Sequence, residues 1–407
     1  MARKEEGFDV AVGFSRFFMR LHGIWPGDTS SKFTWARFAF VPPAVIILMF
    51  INIPQTVQIF FVGGDLNAIL DILTLANVPL GIALAKILGV SYNHNILRQL
   101  IVSVSGDWKH TTKKSELQVM WRNARISRTF SILFIGLAEV TVLANTARMF
   151  YILYSTRSEA ESSGIKNYKK PLYYTGKFPY DAQSSPNFEI TWVMQILATI
   201  LAAGSFMAVD ALFVTLVLHL CAQLTNLQTA FRKIGEDKHE KEVDFMSKLS
   251  KLMKRHRKIN EFADIIEYSF NMMFLFQVMS STFLLCLQGY LFVILISSQK
   301  VILVELIFMV YFIICSSCSI FVYCYVAEIL REESLQLGNA IFYSKWYNLP
   351  ANKARLLIIA ILRVQKPLEL SAGKFCIFSL NLFCNIVKTS AGYISVLLAV
   401  RDKIVQP

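Results

Sequence analysis

Long apolar segments, each of about twenty residues or more, recur from one end of the chain to the other. A helix needs about 20 apolar residues to cross the hydrocarbon core of a bilayer, so runs of this length predict transmembrane helices. We therefore predict an all-α integral membrane protein with seven spans. The predicted spans are residues 36–62, 68–90, 129–154, 190–222, 267–297, 301–327 and 371–400.

The last predicted span differs from the others because polar residues interrupt it throughout. A helix surrounded only by lipid would leave these groups without hydrogen-bond partners, which is costly in hydrocarbon. We therefore expect this helix to face protein or water, as a pore-lining or subunit-facing helix does. The polar residues are Asn381, Asn385, Lys388, Thr389, Ser390 and Tyr393.

The composition agrees with a membrane protein, and the absence of catalytic motifs from the sequence argues against an enzyme. Of the 407 residues 55% are hydrophobic and only 17% are charged, whereas soluble domains carry about 25% charged residues. The sequence contains no glycine-rich phosphate loop, metal-ligand cluster or nucleophile–base pair, so we expect no cofactor, no metal and no catalytic activity. One polytopic domain covering residues 1–407 is the expected organisation.

Lysine and arginine are distributed unequally between alternate loops. The segments 1–37, 91–128, 223–265 and 328–369 hold 29 of the 41 basic residues, and the alternate segments hold 8. Because cytoplasmic loops carry the basic excess, this predicts a cytoplasmic N-terminus and, after seven crossings, an extracellular C-terminus. The net charge of +13 needs no nucleic-acid partner, since it follows mostly from this bias.

The cytoplasmic segments are predicted to be ordered. In 223–265 apolar residues recur at helical spacing with charges between them, which predicts that the fourth and fifth spans continue as helices into the cytoplasm. Together with 328–369 they would form an anchor domain, although a solvated charged linker remains the alternative for 223–265. Before the first span, an amphipathic helix is expected to lie on the membrane or dock on the bundle. Its apolar stripe is Phe14, Phe17, Phe18 and Leu21.

Several of the charged residues within the spans suggest a specific role. Asp71 and Asp210 are candidates for an ion path, but a buried hydrogen bond to a neighbouring helix explains them equally well. Lys86 and Arg148 lie near span ends, where we expect their side chains to extend toward the membrane surface.

Three stretches carry a resemblance to one family. The run AEILREESLQLGNAIFYSKWYNLP contains Ser334, Ala340, Tyr343, Trp346, Tyr347 and Pro350 in that order. The last span, FSLNLFCNIVKTSAGYISVLLAV, has a Lys-bearing middle followed by an aromatic and then small and aliphatic residues, and Arg20 to Pro26 reads RLHGIWP. In these stretches the chain resembles the insect odorant receptors, and RLHGIWP resembles particularly their ant and bee members.

Two differences distinguish this chain from gustatory receptors and from the odorant receptor co-receptor. Gustatory receptors, the sister family, often end in Thr-Tyr followed after five residues by Gln-Phe, where this chain has Gly392, Tyr393, Ala399 and Val400. The obligate co-receptor of the odorant receptors has a longer loop between the fourth and fifth spans than this chain has. The resemblance therefore implies a ligand-tuning odorant receptor subunit.

The resemblance implies a ligand-gated, non-selective cation channel that assembles as a tetramer with the co-receptor around a central pore. Each subunit would contribute its last span to the pore, and a small volatile or pheromone would bind within one subunit's bundle. The implied location is the plasma membrane of an olfactory sensory neuron dendrite. Alignment of the last span through Tyr393 implies a hydrophobic gate at Val396 and Val400, which share a helix face.

The implied ligand pocket lies in the outer half of the second, third, fourth and sixth spans. Pockets for small volatiles are mostly apolar and aromatic with a few polar groups, and ordinary helix packing explains each candidate about as well as ligand contact does. The candidates are Leu73, Asn77, Leu143, Thr146, Met149, Phe150, Trp192, Gln195, Thr199, Phe308 and Tyr311. Lys388 should lie off the pore axis, because a lysine facing the pathway would repel cations.

Two other functions remain as alternatives. A gustatory-type receptor would form a homomeric ligand-gated channel without a co-receptor. A secondary transporter would show broken helices in corresponding positions of two inverted halves, and seven unequal spans offer no such symmetry.

Overall fold

The computed structural model describes residues 2–27, 38–163, 168–236, 242–297 and 303–405, without the side chains of residues 2–5, 242 and 397–405. Helices form most of these residues, which confirms the predicted all-α fold. They are α1 (Ala2–Leu21), α2 (Val41–Phe61), α3 (Leu66–Tyr92), α4 (His94–His110), α5 (Lys114–Ser162), α6 (Asn187–Arg232), α7 (Glu242–Ser297), α8 (Leu303–Phe342), α9 (Ala351–Val364) and α10 (Leu380–Val405), with a 3₁₀ turn at Trp346–Asn348. The strands β1 (Ser371–Ala372) and β2 (Cys376–Ile377) precede α10.

Six helices in the described part of the chain are long and apolar enough to cross a membrane, namely α2, α3, α5, α6, α7 and α8. They correspond in order to the first six predicted spans, although the predicted start of the first span at residues 36–37 lies outside the described residues. The seventh span corresponds to α10, whose 26 residues extend for about 39 Å, enough to cross the hydrocarbon core.

The predicted start of the seventh span at residue 371 is wrong by nine residues. Residues Ser371 to Ile377 form an antiparallel hairpin, with Ser371 opposite Ile377 and Ala372 opposite Cys376. Gly373 and Lys374 both have positive φ, at 62° and 61°, a conformation that reverses the chain and cannot continue a helix. The helix begins after Ser379, whose hydroxyl accepts a hydrogen bond from the Leu382 amide at 3.2 Å.

Two widened π turns, Leu48–Asn52 in α2 and Leu73–Asn77 in α3, each precede a proline by two residues. A proline within a helix lacks an amide donor and crowds the preceding turn, and a widened turn relieves both effects. The two turns meet, since Asn52 Nδ2 donates to the Asn77 carbonyl at 2.8 Å and Asn77 Nδ2 donates to the Asn52 carbonyl at 3.3 Å. These bonds fix α2 against α3.

Helix α6 is the central element of the bundle. Its C-terminal half is buried on every side, from Ala208 to Leu224, as expected for a helix that is apolar all round. The helices α1, α3, α5, α7 and α8 all pack against it. The other long helices therefore position their side chains relative to α6.

The helices extend well beyond a bilayer at the end of the bundle that holds α1 and α4. Helix α6 continues to Arg232 and α7 begins at Glu242, with Leu227 and Phe231 fully buried. This agrees with ordered helical extensions rather than a solvated linker, although residues 237–241 between them are not described. Helix α9 packs against the end of α8 in the same region. The assignment of these extensions to the cytoplasm stays a prediction.

A charged cluster holds this end of the bundle together. The Asp107 carboxylate on α4 accepts hydrogen bonds from Lys258 Nζ at 2.7 Å and contacts His219 Nε2 at 3.2 Å. Burial alone would raise the pKa of Asp107, but the contacts with His219 and Lys258 outweigh it and lower that pKa. The carboxylate therefore stays charged and links α4 to α6 and α7.

The amphipathic helix predicted before the first span is α1, and it is docked on the bundle. Helix α1 packs against α4, α5 and α6, and the residues Val12 and Met19 are buried in these contacts. Phe17 and Leu21, however, each remain 62% exposed. Of the predicted stripe, Phe14 and Phe18 pack against the core. The buried face of α1 is therefore rotated from the predicted stripe and shares half of its residues.

Candidate ligand cavity and pore helix

A cavity of about 150 Å³ lies between α3, α5, α6, α7 and α8, beneath the segment 168–186. Most of its wall is aliphatic and aromatic. These apolar residues include Leu75, Leu80, Ile82, Val142, Phe206, Met207, Leu284, Phe308 and Phe312. An engineered apolar cavity of similar volume binds benzene, so a small volatile molecule is a suitable occupant.

A few polar groups interrupt the apolar wall, as is usual for small-molecule sites. Asn145 Nδ2 donates to the Tyr174 hydroxyl at 3.4 Å, and Asn145 Oδ1 accepts from Arg148 Nη2 at 3.1 Å. On α7, Gln277 Nε2 donates to Ser281 Oγ at 3.1 Å. The polar lining residues are Thr141, Asn145, Tyr174, Thr199, Gln277, Ser281, Ser316 and Ser319.

The segment 168–186 covers part of the cavity through Tyr174. Tyr174 lines the cavity and is 7% exposed. Its backbone is held by Gln195 of α6, whose Oε1 accepts from the Tyr174 amide at 3.1 Å and whose Nε2 donates to the Tyr174 carbonyl at 3.0 Å. Gln195 Nε2 also donates to the Phe50 carbonyl at 3.3 Å. Gln195 thus fixes this segment to α6 and α2 together.

Of the predicted ligand contacts, Thr199 and Phe308 line the cavity. Thr199 Oγ1 donates to the Gln195 carbonyl at 2.7 Å, which leaves its methyl group and a lone pair available. The Arg148 guanidinium lies 5.0 Å from the centre of the Phe308 ring. The predicted extension of Arg148 toward the membrane surface is therefore wrong, because its side chain is directed at Asn145 and Phe308.

Other predicted residues form an aromatic layer above the cavity with Tyr173. The Trp192 ring lies 5.4 Å from Tyr173 and 4.8 Å from Phe150. Thr146 Oγ1 and the Tyr173 hydroxyl are 3.0 Å apart. Met149 is buried in the main core. These four predicted residues and Gln195 support the cavity roof and do not line the cavity.

The remaining predicted residues serve other contacts. Tyr311 donates its hydroxyl to the Leu137 carbonyl at 3.0 Å, joining α8 to α5. Asn77 belongs to the α2–α3 contact described above, and Leu73 packs on a small cluster that contains Leu287. Leu143 is 68% exposed on the outer surface of α5. Ligand contact stays a prediction for the candidates that line the cavity.

Several lining residues were not predicted, although some carried a signal. On α6, Thr199, Ala202, Ala203 and Phe206 follow the spacing of one helix face. Gln277 is a polar residue within an apolar span, a pattern that marks functional sites in membranes. Tyr174 lies in a loop, so no helical periodicity pointed to it.

A buried ion pair lies directly beyond the cavity wall. Lys86 Nζ is 2.6 Å from Asp210 Oδ1 and donates to the Tyr323 hydroxyl at 3.1 Å. It also lies 3.4 Å from the centre of the Phe206 ring, which lines the cavity. The predicted extension of Lys86 toward the membrane surface is therefore wrong, because this side chain is only 2% exposed. Asp210 therefore makes a buried hydrogen bond to a neighbouring helix, through Lys86, which is one of the two interpretations that the sequence allowed.

Aromatic rings connect this ion pair to the start of α10. The Tyr323 ring lies 5.0 Å from Phe274, and Phe274 lies 5.3 Å from Phe378. Phe378 is 1% exposed and precedes the first residue of α10 by two positions. Contacts thus run continuously from the cavity through the ion pair to the last helix.

Helix α10 is held to the bundle by one narrow stripe. Leu382, Ile386, Ser390 and Ile394 recur every four residues and are at least partly buried. At Gly289 of α7 a Cβ would lie only 2.2 Å from Ile394 Cδ1, so a larger residue there would require the Ile394 side chain to move. The rest of α10 in the described part is largely exposed in the single chain.

On the exposed side of α10, polar residues and then a valine follow one another along a single face of the helix. Residues Asn385, Thr389, Tyr393 and Val396 recur at helical spacing, and Val396 is 58% exposed. Val400 continues this spacing, but its side chain lies outside the described residues. Lys388 is exposed and lies to one side of this face.

Known proteins match the chain in sequence and in fold. A family model described as "7tm Odorant receptor" matches residues 72–391. Odorant receptor 13a of Drosophila melanogaster is 23% identical, with 94% of each chain covered. Odorant receptor 10 of Aedes albopictus is 27% identical over 59% of this chain and 62% of its own length.

The fold agrees with a solved structure of the insect olfactory receptor OR5 from Machilis hrabei in complex with eugenol, at a TM-score of 0.78 and 16% identity. That match covers 96% of this chain and 97% of the other. Because the family model spans most of the described bundle, including the cavity and the first part of α10, the chain belongs to the insect odorant receptor family.

Proposed function

We propose that this chain is the odorant-binding subunit of a ligand-gated, non-selective cation channel assembled with the odorant-receptor co-receptor. The family is one of ligand-gated channels that bind small odorants and is not an enzyme family. The observation that supports the proposal is the apolar cavity, which is connected by direct side-chain contacts to the start of the polar last helix. The plasma membrane of an olfactory sensory neuron dendrite is the proposed location.

The exposed face of α10 supports a position at the centre of an assembly. Asn385 and Thr389 would be poorly placed in lipid, where each unpaired polar group is costly. Val396 follows them on the same face, so water would reach the polar side chains up to an aliphatic constriction. The position of Lys388 beside this face agrees with a cation pathway that the lysine does not directly line.

A gate at Val396 and Val400 predicts the effect of polar substitution. A double variant, Val396→Gln with Val400→Asn, should wet the closed constriction and raise the current without ligand, because dewetting depends on aliphatic walls. Matching substitutions in the co-receptor should increase the effect, since co-receptor subunits line most of the ring. Patch-clamp recording of basal current, normalised to surface expression, measures this. Unchanged basal current and ion selectivity in the fully substituted assembly would show that these valines do not line the pore.

Phe308 tests whether the cavity sets ligand sensitivity. Phe308→Ala removes a large contact surface worth about 1–3 kcal/mol, so the half-maximal ligand concentration should rise roughly 5- to 150-fold. Dose–response recordings from cells expressing the chain with the co-receptor measure the shift. Leu143→Ala is the matched control, because Leu143 lies on the outer surface of the neighbouring helix. Equal dose–response curves for the Phe308 variant and the wild type would place the ligand elsewhere.

A further inference from the structure

One polar atom on the cavity wall has no partner within the described part of the chain. The Gln277 side chain is 1% exposed and lines the cavity, and its Nε2 donates to Ser281 Oγ. Its Oε1 is buried and accepts no hydrogen bond. A buried carbonyl oxygen without a donor is unfavourable, so a molecule in the cavity that supplies a donor would gain that interaction.

The surroundings of Gln277 indicate what kind of molecule could supply that donor. Most of the cavity wall is apolar, including Phe308 and Phe312, so the rest of the molecule should be apolar too. Ser281 keeps its own hydroxyl proton after accepting from Gln277 Nε2, so its hydroxyl is also available to a ligand. A ligand hydroxyl can donate to Gln277 Oε1 and accept from Ser281 at once, whereas an ether or carbonyl group can only accept.

We propose that the cavity selects small alcohols or phenols, whose hydroxyl donates to Gln277 Oε1 while the apolar body fills the space beside Phe308. This assignment rests on the proposed function of the cavity as the odorant site. The volume of about 150 Å³ favours a ligand of roughly six to ten non-hydrogen atoms, since benzene fits a cavity of this size. A hydroxyl also satisfies the Gln277 amide if its oxygen and nitrogen are exchanged, because a hydroxyl both donates and accepts.

The test compares pairs of equal size in which a methyl group replaces the hydroxyl. The pairs are benzyl alcohol with ethylbenzene, 4-methylphenol with 1,4-dimethylbenzene, and 1-hexanol with heptane. Each compound is applied to cells expressing the chain with the co-receptor, and the half-maximal concentration for current is measured. The wild type should respond to the alcohol of at least one pair at about tenfold lower concentration than to its hydrocarbon, or better.

The variant Gln277→Leu should remove this preference and leave the hydrocarbon response unchanged or stronger, because the variant replaces the amide with an apolar group of similar size. Gln277→Met provides a second variant if surface expression of the first is low. Gln288→Leu is the matched control: Gln288 is a buried glutamine on the same helix whose amide bonds to Ser316 and does not line the cavity. This control should keep the alcohol preference.

The outcomes separate this inference from the proposed function. Currents evoked equally by alcohols and hydrocarbons, or an alcohol preference that survives both Gln277 variants, would overturn the hydroxyl assignment and leave the odorant-gated channel intact. Loss of the preference in Gln288→Leu as well would also overturn it. Absence of current with every compound of the panel would count against both the assignment and the proposed function.

Discussion

Replacing Lys86 with methionine is expected to remove most of the receptor from the cell surface. Lys86 Nζ lies 2.6 Å from Asp210 Oδ1, and both side chains are at least 96% buried. The substitution leaves the Asp210 carboxylate without its cation in a region that water does not reach. Breaking a buried pair in this way costs about 3–5 kcal/mol, a large part of the total stability of most proteins.

The double variant Lys86→Met with Asp210→Leu should recover much of that loss, because it removes both charges and replaces them with apolar groups. Surface biotinylation measures the amount at the membrane, and thermal unfolding in detergent measures stability. Lys251→Met, at an exposed position of α7, is the control for the loss of one lysine. Surface expression of Lys86→Met equal to that of this control would show that the ion pair does not stabilise the bundle.

Replacing Gln195 with leucine is expected to release the roof of the cavity. Gln195 is fully buried and makes hydrogen bonds to both backbone groups of Tyr174 and to the Phe50 carbonyl. Each buried group that loses its partner costs about 1–3 kcal/mol, so the segment around Tyr174 should detach from α6. Ligand sensitivity should then fall by about tenfold or more, since Tyr174 forms part of the cavity wall.

Hydrogen exchange of the purified receptor, followed by mass spectrometry, measures this release directly. The amides of residues 168–186 should exchange faster in Gln195→Leu, while those in the buried half of α6 should not. Gln118→Leu, at an exposed position of α5, is the matched control. Unchanged exchange of the 168–186 amides together with unchanged ligand sensitivity would mean that Gln195 does not hold the roof.

The sequence predicted the helices well because the hydrophobic thickness of a bilayer imposes a minimum length on each apolar run. It failed at residues 371–379 because Gly373 and Lys374 turn the chain with positive φ, and a lysine gives no sign of that conformation. The prediction for Lys86 was wrong because it rested only on the position of this residue near the end of a span, from which a lysine side chain can reach the membrane surface. Instead, the partner of Lys86 is Asp210, 124 residues away, and no local pattern identifies it.

The candidate site was only partly predictable for a related reason. Helical spacing identifies which residues share a face, but it does not give the depth of each residue within the bundle. Thr199 and Phe308 line the cavity, whereas Trp192 and Gln195 on the same helix as Thr199 hold the roof. Tyr174 was missed because its place in the wall depends on how the segment 168–186 folds back onto α6.

The central claim is that a small ligand opens the channel by binding in this cavity, and filling the cavity tests it most directly. Ala203 lines the cavity on α6, so Ala203→Phe would occupy the space that a ligand needs. Ile200→Phe introduces the same ring on the same helix, at a 40% exposed position outside the cavity. The measurement is the ligand-evoked current of both variants expressed with the co-receptor, normalised to surface expression. We predict that Ala203→Phe reaches the surface and gives no ligand-evoked current while Ile200→Phe responds as the wild type does; a normal dose–response curve for Ala203→Phe would contradict the account.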